Sequence, residues 1–155
     1  MRRPLESVLA EVPLLEGLGD DELELLAGCA GNVRFASGAH LFREGDAADT
    51  FYVVRHGSVA LETFVPARGP VVIETIEAGE VIGWSWLFPP FRWHFDARAL
   101  TLVRATGFDG ACLRQKCDDD NHLGYELLMR FSNVLVSRLQ ATRLQLMDVY
   151  GDSPH

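Results

Sequence analysis

The chain has 155 residues, of which 48% are hydrophobic and 23% are charged, a composition typical of one domain with a substantial buried core. Its 14 basic and 22 acidic residues give a net charge of −8, so binding to nucleic acid would require a local basic patch. The basic residues are interspersed with acidic ones, and we see no such patch. No apolar run reaches the roughly 18 residues of a membrane span, and no secretory leader is recognised. We therefore expect one cytoplasmic domain over residues 1–155.

The N-terminal residues 1–31 are predicted to form helices. Leu5, Val8 and Leu9 share one face of a first helix. Further along, Gly19 followed by three acidic residues provides an N-cap and a favourable first turn for a second helix.

The central residues 32–113 carry short β-branched and aromatic runs separated by turns that contain glycine. The runs cover residues 33–35, 40–42, 51–54, 58–61, 71–73 and 97–105. Many short strands at this spacing are typical of an antiparallel sandwich or barrel.

The C-terminal residues 118–150 are predicted to form a long helix, with aspartates before it as N-caps and Gly151 as its end. One set of positions, spaced alternately by four and three, forms a heptad seam. The seam consists of Leu128, Ser132, Leu135, Leu139, Thr142, Leu146 and Val149. A second apolar stripe, suited to packing on the chain's own barrel, consists of Leu127, Phe131, Val134, Ala141 and Leu144. Two stripes favour a parallel homodimer, and the alternative is one wide apolar face on a buried helix.

The three cysteines are Cys29, Cys112 and Cys117, and an odd number without a leader indicates reduced thiols. We expect each to be a buried free cysteine, since an iron–sulfur cluster usually needs four thiolates. His94 and Asp96 share a strand face but are a weak metal site, so no metal is expected. The sequence also has no nucleophile elbow, P-loop or dinucleotide-binding glycine pattern, and we therefore expect no enzyme.

Several motifs together resemble one known family over residues 10–150. They are Val12-Pro-Leu-Leu-Glu-Gly-Leu-Gly-Asp-Asp-Glu-Leu23, Leu41-Phe-Arg-Glu-Gly-Asp46, Asp49-Thr-Phe-Tyr-Val-Val54, Gly57-Ser-Val-Ala-Leu61, Gly79-Glu-Val-Ile-Gly83, Leu128-Met-Arg-Phe-Ser132 and Arg138-Leu-Gln-Ala-Thr142. In this combination they resemble the cyclic-nucleotide-binding domain of the Crp/Fnr superfamily. The resemblance implies a mainly β fold, an eight-stranded antiparallel β-roll of jelly-roll type, with N-terminal helices and a long C-terminal dimerisation helix. It also implies a ligand inside the roll, under that helix.

In members of the family that are transcription factors, a helix-turn-helix follows the dimerisation helix. Here five residues follow Tyr150, far fewer than the roughly 20 of such a motif, so we expect no direct sequence-specific DNA binding.

The resemblance places the family's phosphate-binding cassette in the stretch that holds all three tryptophans. Gly83 is kept as the glycine that leads into it, but Trp84 stands where the family carries a carboxylate for the ribose. Trp93 stands at the position of the phosphate-binding arginine and His94 at that of a hydroxyl residue. A gap moved by one residue would bring Arg92 near the arginine position.

Three interpretations of the cassette remain open at this stage. In the first, the indoles fill a vestigial pocket. In the second, the aromatic walls stack on the planar ring of an altered ligand, and nearby cations bind its anionic group. In the third, the site binds cyclic AMP or cyclic GMP in the ordinary way. The candidate ligand-binding residues are Gly83, Trp84, Ser85, Trp86, Arg92, Trp93, His94 and Thr142. Thr142 is included because the resemblance implies a purine contact at that position.

Together these observations predict a dimeric, non-enzymatic regulatory or sensor module that acts through a partner protein. Its ligand would be a cyclic nucleotide or another small anionic or aromatic molecule. The alternative is a ligand-free dimeric scaffold.

Overall fold

The computed structural model describes Leu9 and residues 12–151, and for residues 142 and 145–151 it describes the backbone alone. The helices are a 3-10 turn (Pro13–Leu15), α1 (Asp20–Ala27), α2 (Gly110–Asp119) and α3 (Asn121–Gly151). The strands are β1 (Ala30–Phe35), β2 (His40–Phe42), β3 (Thr50–His56), β4 (Val59–Val65), β5 (Gly69–Ile76), β6 (Val81–Ile82), β7 (Asp96–Ala99) and β8 (Val103–Asp109).

The eight strands of the described residues form two four-stranded sheets, ordered β1-β8-β3-β6 and β2-β7-β4-β5. Every pairing is antiparallel. This confirms the predicted β-roll with flanking helices. The predicted run 97–105 is two strands rather than one, because the chain turns between Ala99 and Val103 and crosses from the second sheet to the first.

The buried side chains form two groups, one on each side of the first sheet. The group inside the roll, the roll cluster, includes Phe42, Val54, Leu61, Ile82, Trp93, Phe95, Ala97 and Ala105. The group between the first sheet and the helices, the helix cluster, includes Leu15, Leu26, Phe51, Trp86, Phe108, Leu113, Leu127 and Phe131. Side chains alternate along β3 and β8, so these strands contribute to both clusters.

The helices follow the sequence with two corrections. The predicted helix over 118–150 begins only at Asn121, because Asp118 and Asp119 belong to α2 and it is Asp120 that accepts hydrogen bonds from the first turn of α3. Gly19 is the N-cap of α1, as predicted, whereas the first predicted helix around Leu5 and Val8 lies outside the described residues. The central strand region ends at Asp109 rather than residue 113, and a helix already begins at Gly110. The carboxylate of Asp109 caps that helix by accepting a hydrogen bond from the Cys112 N–H at 3.1 Å. No helix among the described residues is long and apolar enough to cross a membrane.

The cysteine prediction was wrong for two of the three residues. Cys29 and Cys112 form a disulfide with a Cα–Cα distance of 5.7 Å. They lie 83 residues apart in the sequence, but β1 pairs with β8 and so brings Cys29 next to the start of α2. Cys117 is free and half-buried, and burial raises the pKa of its thiol, with Asp118 and Asp120 acting in the same direction.

Candidate functional site

The cassette region begins at Gly83, whose backbone has a φ of +100°. That left-handed conformation favours glycine. A Cβ at this position would lie 2.4 Å from Cη2 of Trp93, so the close approach of the indole also excludes any residue with a side chain. Glycine is therefore needed here by packing as well as by backbone geometry.

Trp93 occupies the interior of the roll. Its ring stacks on Phe42 with centroids 3.6 Å apart and an angle of 5° between the planes, and only 3% of the residue is exposed. Its backbone is held on both sides, since Trp93 N donates to Asp46 O and Gly45 N donates to Trp93 O. The indole is therefore a fixed part of the roll cluster, at the position that the resemblance assigns to the phosphate-binding arginine.

Arg92 and His94 point away from this interior. Both are exposed, while their neighbours Trp93 and Phe95 are buried, as expected from side-chain alternation in an extended segment. Arg92 Nη1 donates a hydrogen bond to the carbonyl of Gly45 at 3.1 Å. The structure therefore does not bring these two predicted anion contacts into the roll.

Trp86 lies on the other side of the sheet, in the helix cluster. Its ring centroid lies 5.0 Å from that of Phe51 and 5.3 Å from that of Phe131, in the helix cluster. Its backbone carbonyl accepts a hydrogen bond from Arg114. The Trp86 Nε1 and Ser85 Oγ atoms are buried and make no hydrogen bond within the described part of the chain.

Trp84 lies between the two clusters and is half-buried. Its ring centroid is 5.8 Å from that of Phe95 on the roll side. On the other side, the guanidinium carbon of Arg138 lies 5.2 Å from its ring centroid, within the range of a cation–π contact. Through this contact, Arg138 of α3 lies at the edge of the cassette.

Arg138 is the residue of this region that the sequence analysis did not single out as a ligand contact. Its Nη2 donates to the carbonyl of Val81, and its Nε lies 3.6 Å from a carboxylate oxygen of Glu74. Burial lowers the pKa of Arg138, whereas Glu74 and Glu80 act in the opposite direction. The only indication in the sequence was its place in the motif 138–142, which we had interpreted as a dimerising helix.

A groove of about 740 Å³ runs beside Arg138, between α3 and the segment that joins β5 to β6. The wall formed by α3 consists of Met129, Arg130, Asn133, Val134, Ser137, Arg138 and Ala141, and the opposite wall consists of Pro13, Leu14, Glu16, Glu74, Gly79, Glu80 and Val81. The groove thus combines two arginines and three glutamates with apolar side chains. The predicted purine contact cannot be placed in it, because the Thr142 side chain lies outside the described residues.

The predicted dimer seam is only partly described. Leu128 and Leu139 are exposed by 43% and 69%, while Ser132 and Leu135 are half-buried. The side chains of Leu146 and Val149 are outside the described residues, like that of Thr142.

The second predicted stripe of α3 behaves differently along its length. Leu127 and Phe131 are fully buried in the helix cluster, as predicted, and Val134 is half-buried. Ala141 and Leu144 are exposed, so the stripe is not buried against the chain's own barrel at these two positions.

The described residues contain no group of three His, Cys, Asp or Glu side chains close enough to hold a metal ion. His94 is exposed, and the Asp96 carboxylate accepts a hydrogen bond from the Glu44 N–H at 2.7 Å. That bond gives Asp96 a role in holding the turn after β2.

A two-sheet antiparallel roll with a glycine-led cassette and a long following helix defines a class of regulatory β-roll domains. The family model of the cyclic nucleotide-binding domain matches residues 32–120, which is more than half of the chain. The chain belongs to the cyclic nucleotide-binding domain family, and the predicted resemblance to its Crp/Fnr members is confirmed.

Two solved structures and one curated regulator illustrate the similarity. A candidate cyclic nucleotide-binding protein from Geobacter metallireducens has a TM-score of 0.78 and 26% identity, covering 90% of this chain and 99% of that one. The N-terminal domain of a transcriptional regulator from Streptomyces coelicolor has a TM-score of 0.70 and 28% identity, covering 87% and 94%. The CRP-like cAMP-activated global transcriptional regulator of Mycobacterium tuberculosis is 25% identical over 151 residues, 97% of this chain but 66% of the regulator.

Proposed function

We propose that this domain is a non-enzymatic regulatory module that does not bind cyclic AMP or cyclic GMP in the family's usual way. The observation that carries the proposal is the Trp93 indole, stacked on Phe42 and in contact with Gly83 inside the roll. A cyclic phosphate held by the cassette would need this space. Moving a buried tryptophan out of such packing costs about 3–5 kcal/mol, judged from substitutions that delete the side chain.

The same module would receive a different small ligand in the groove beside Arg138. The groove places the Arg138 guanidinium beside apolar side chains such as Val81 and Met129, which suits a molecule with an anionic group and an apolar part. Glu74 and Glu80 on the opposite wall disfavour a highly charged anion, so a single negative charge fits best. Because α3 forms one wall, a bound ligand would shift this helix and, through it, a paired copy and a partner protein.

A ligand-free scaffold is the second candidate, and the filled roll interior is the observation that favours it. The two functions differ in what purified protein does when small molecules are added. A sensor must melt at a higher temperature when its ligand binds the native state, whereas a scaffold must not respond.

The cassette hypothesis is tested by thermal shift and intrinsic tryptophan fluorescence with cyclic AMP, cyclic GMP and cyclic dinucleotides at millimolar concentration. We expect no shift with cyclic AMP or cyclic GMP. The double variant Trp84→Glu/Trp93→Arg restores the two family contacts and is expected to gain cyclic AMP binding, while Trp93→Phe serves as the matched control that keeps the ring. A shift of the unmodified protein with cyclic AMP would show ordinary binding and overturn the proposal.

The proposed homodimer is tested at the exposed part of α3. Leu135→Asp and Leu139→Asp place a charge in the predicted seam and are expected to halve the mass measured by light scattering. Gln140→Asp adds the same charge to an exposed position next to the seam and should leave the mass unchanged. A monomeric unmodified protein, or Leu139→Asp with the mass of a dimer, would refute the seam.

A further inference from the structure

Three arginines that are far apart in the sequence meet on the first sheet. Arg34 of β1 is the direct cross-strand partner of Arg104 in β8. On the other side of β8, a register shift between Val54 and His56 of β3 leaves Arg55 beside Arg104. All three arginines are exposed and line one cleft of about 420 Å³ together with Asn32, which we call the arginine cleft.

Among the described residues, no acidic side chain neutralises the arginines of the cleft. Within the described part of the chain, none of its three arginines has a salt bridge or a side-chain hydrogen bond. Arg98 and Arg130, in contrast, each pair with a glutamate. Like charges directly opposite each other on antiparallel strands are about 5 Å apart at Cβ and are destabilising. The sheet therefore holds a concentrated positive charge in a chain whose net charge is −8.

We propose that the arginine cleft binds a short acidic segment, rich in glutamate or aspartate, on a partner protein. Guanidinium groups bind carboxylates through paired hydrogen bonds. Three neighbouring strands span about 10 Å, and alternate residues of an extended peptide are about 6.6 Å apart, so two or three carboxylates of one segment reach all three arginines.

Other anions fit the cleft less well. A single inorganic anion would pair with arginines that stay exposed to water, where an isolated ion pair contributes about 0–1 kcal/mol to the binding free energy. A nucleic acid would extend beyond the cleft along a chain that is acidic overall and would be repelled there. A short acidic segment gains several ion pairs at once without extending further.

The proposal stands apart from the proposed ligand and dimer. The arginine cleft and the groove beside Arg138 have no lining residue in common. Failure of the cleft to bind an acidic peptide would therefore leave the cassette proposal unchanged, and thermal shift with small molecules would not report on the cleft.

The test is fluorescence anisotropy of a labelled hexaglutamate peptide added to the full chain, with hexaglutamine as the uncharged probe. We expect saturable binding of hexaglutamate alone, weakening as salt is raised. Arg34→Glu/Arg104→Glu should raise the Kd by at least about tenfold, which corresponds to about 1.4 kcal/mol. Arg68→Glu makes the same kind of charge change at an exposed residue between β4 and β5 and should leave the Kd within about twofold.

Arg34→Gln/Arg104→Gln keeps the experiment informative if the reversed charges impair folding, and melting curves of each variant identify that case. The proposal is overturned by any of three results. In the first, hexaglutamine binds as tightly as hexaglutamate. In the second, the Arg34/Arg104 variants have the same Kd as Arg68→Glu. In the third, a single-stranded DNA oligonucleotide binds more tightly than hexaglutamate. Full displacement of the peptide by millimolar inorganic phosphate would instead assign the cleft to a free anion.

Discussion

The roll cluster and the helix cluster receive their largest side chains from the same short segment, residues 84–93, yet they use them differently. In the roll, Trp93 is buried and stacks on Phe42, at the position that the resemblance assigns to the phosphate-binding arginine. On the helix side, Trp86 packs between Phe51 and Phe131 and so holds α3 against the sheet. Tryptophans that are close in the sequence therefore need not line one pocket, because the chain between Trp86 and Trp93 forms turns rather than a continuous strand.

This difference predicts that the two sites respond in opposite ways to a changed aromatic residue. Under the proposed function, the roll is expected to accept a ligand contact in place of its indole, whereas the helix cluster depends on its indole for packing. Trp84 packs against both clusters, and its ring also contacts Arg138 at the edge of the groove.

The largest expected effect is the loss of Trp86. Trp86→Ala removes a fully buried ring from the contact between α3 and the sheet and should lower the free energy of unfolding by about 3–5 kcal/mol. Urea denaturation followed by circular dichroism measures it. Trp86→Phe is the control and should cost much less, because the indole Nε1 makes no hydrogen bond within the described residues. Equal costs for the two variants would show that the ring does not anchor α3.

The next effect concerns the disulfide, which lies on the helix side alone. Cys112→Ser removes the link between Cys29 and α2 and should lower the free energy of unfolding by about 2–4 kcal/mol. Thermal melting with and without a reducing agent measures it, and Cys117→Ser is the matched control, since that thiol is free. If reduction leaves the melting temperature of the unmodified protein unchanged, the helix cluster does not depend on this link.

The smallest effect is expected on the second sheet, at Glu62 and Arg98. Arg98 donates hydrogen bonds to both carboxylate oxygens of Glu62 at 3.0 Å, and this lowers the pKa of Glu62 below its ordinary value of 4.5. The pair therefore adds stability above pH 4.5, and this contribution is lost as the pH falls through the lowered pKa.

Melting temperatures between pH 6 and pH 3 measure this contribution. We expect the unmodified protein to lose a few degrees more than Glu62→Gln, since the amide cannot titrate. Parallel pH profiles for the two proteins would mean that the carboxylate is not stabilised by Arg98.

Much of the fold could be predicted from the sequence because it depends on local patterns. Short β-branched runs between glycine turns, an acidic first turn after Gly19 and the apolar stripes of α3 each reflect neighbours in the chain. The glycine-led turn at Gly83 also has the left-handed backbone that favours glycine, while the absence of the usual phosphate contact, which the resemblance implies, stays a prediction. These features need only the residue types and their spacing.

The tertiary structure decided the rest, because it joins residues that the sequence separates. Pairing of β1 with β8 brought Cys29 to Cys112 and Arg34 to Arg104, so a predicted set of free thiols became a disulfide and interspersed arginines became a basic patch. Backbone alternation turned Arg92 outward, and the packing of helices against the sheet placed Arg114 and Arg138 beside the cassette. A sequence shows which side chains are available, but strand register and helix packing determine which of them meet.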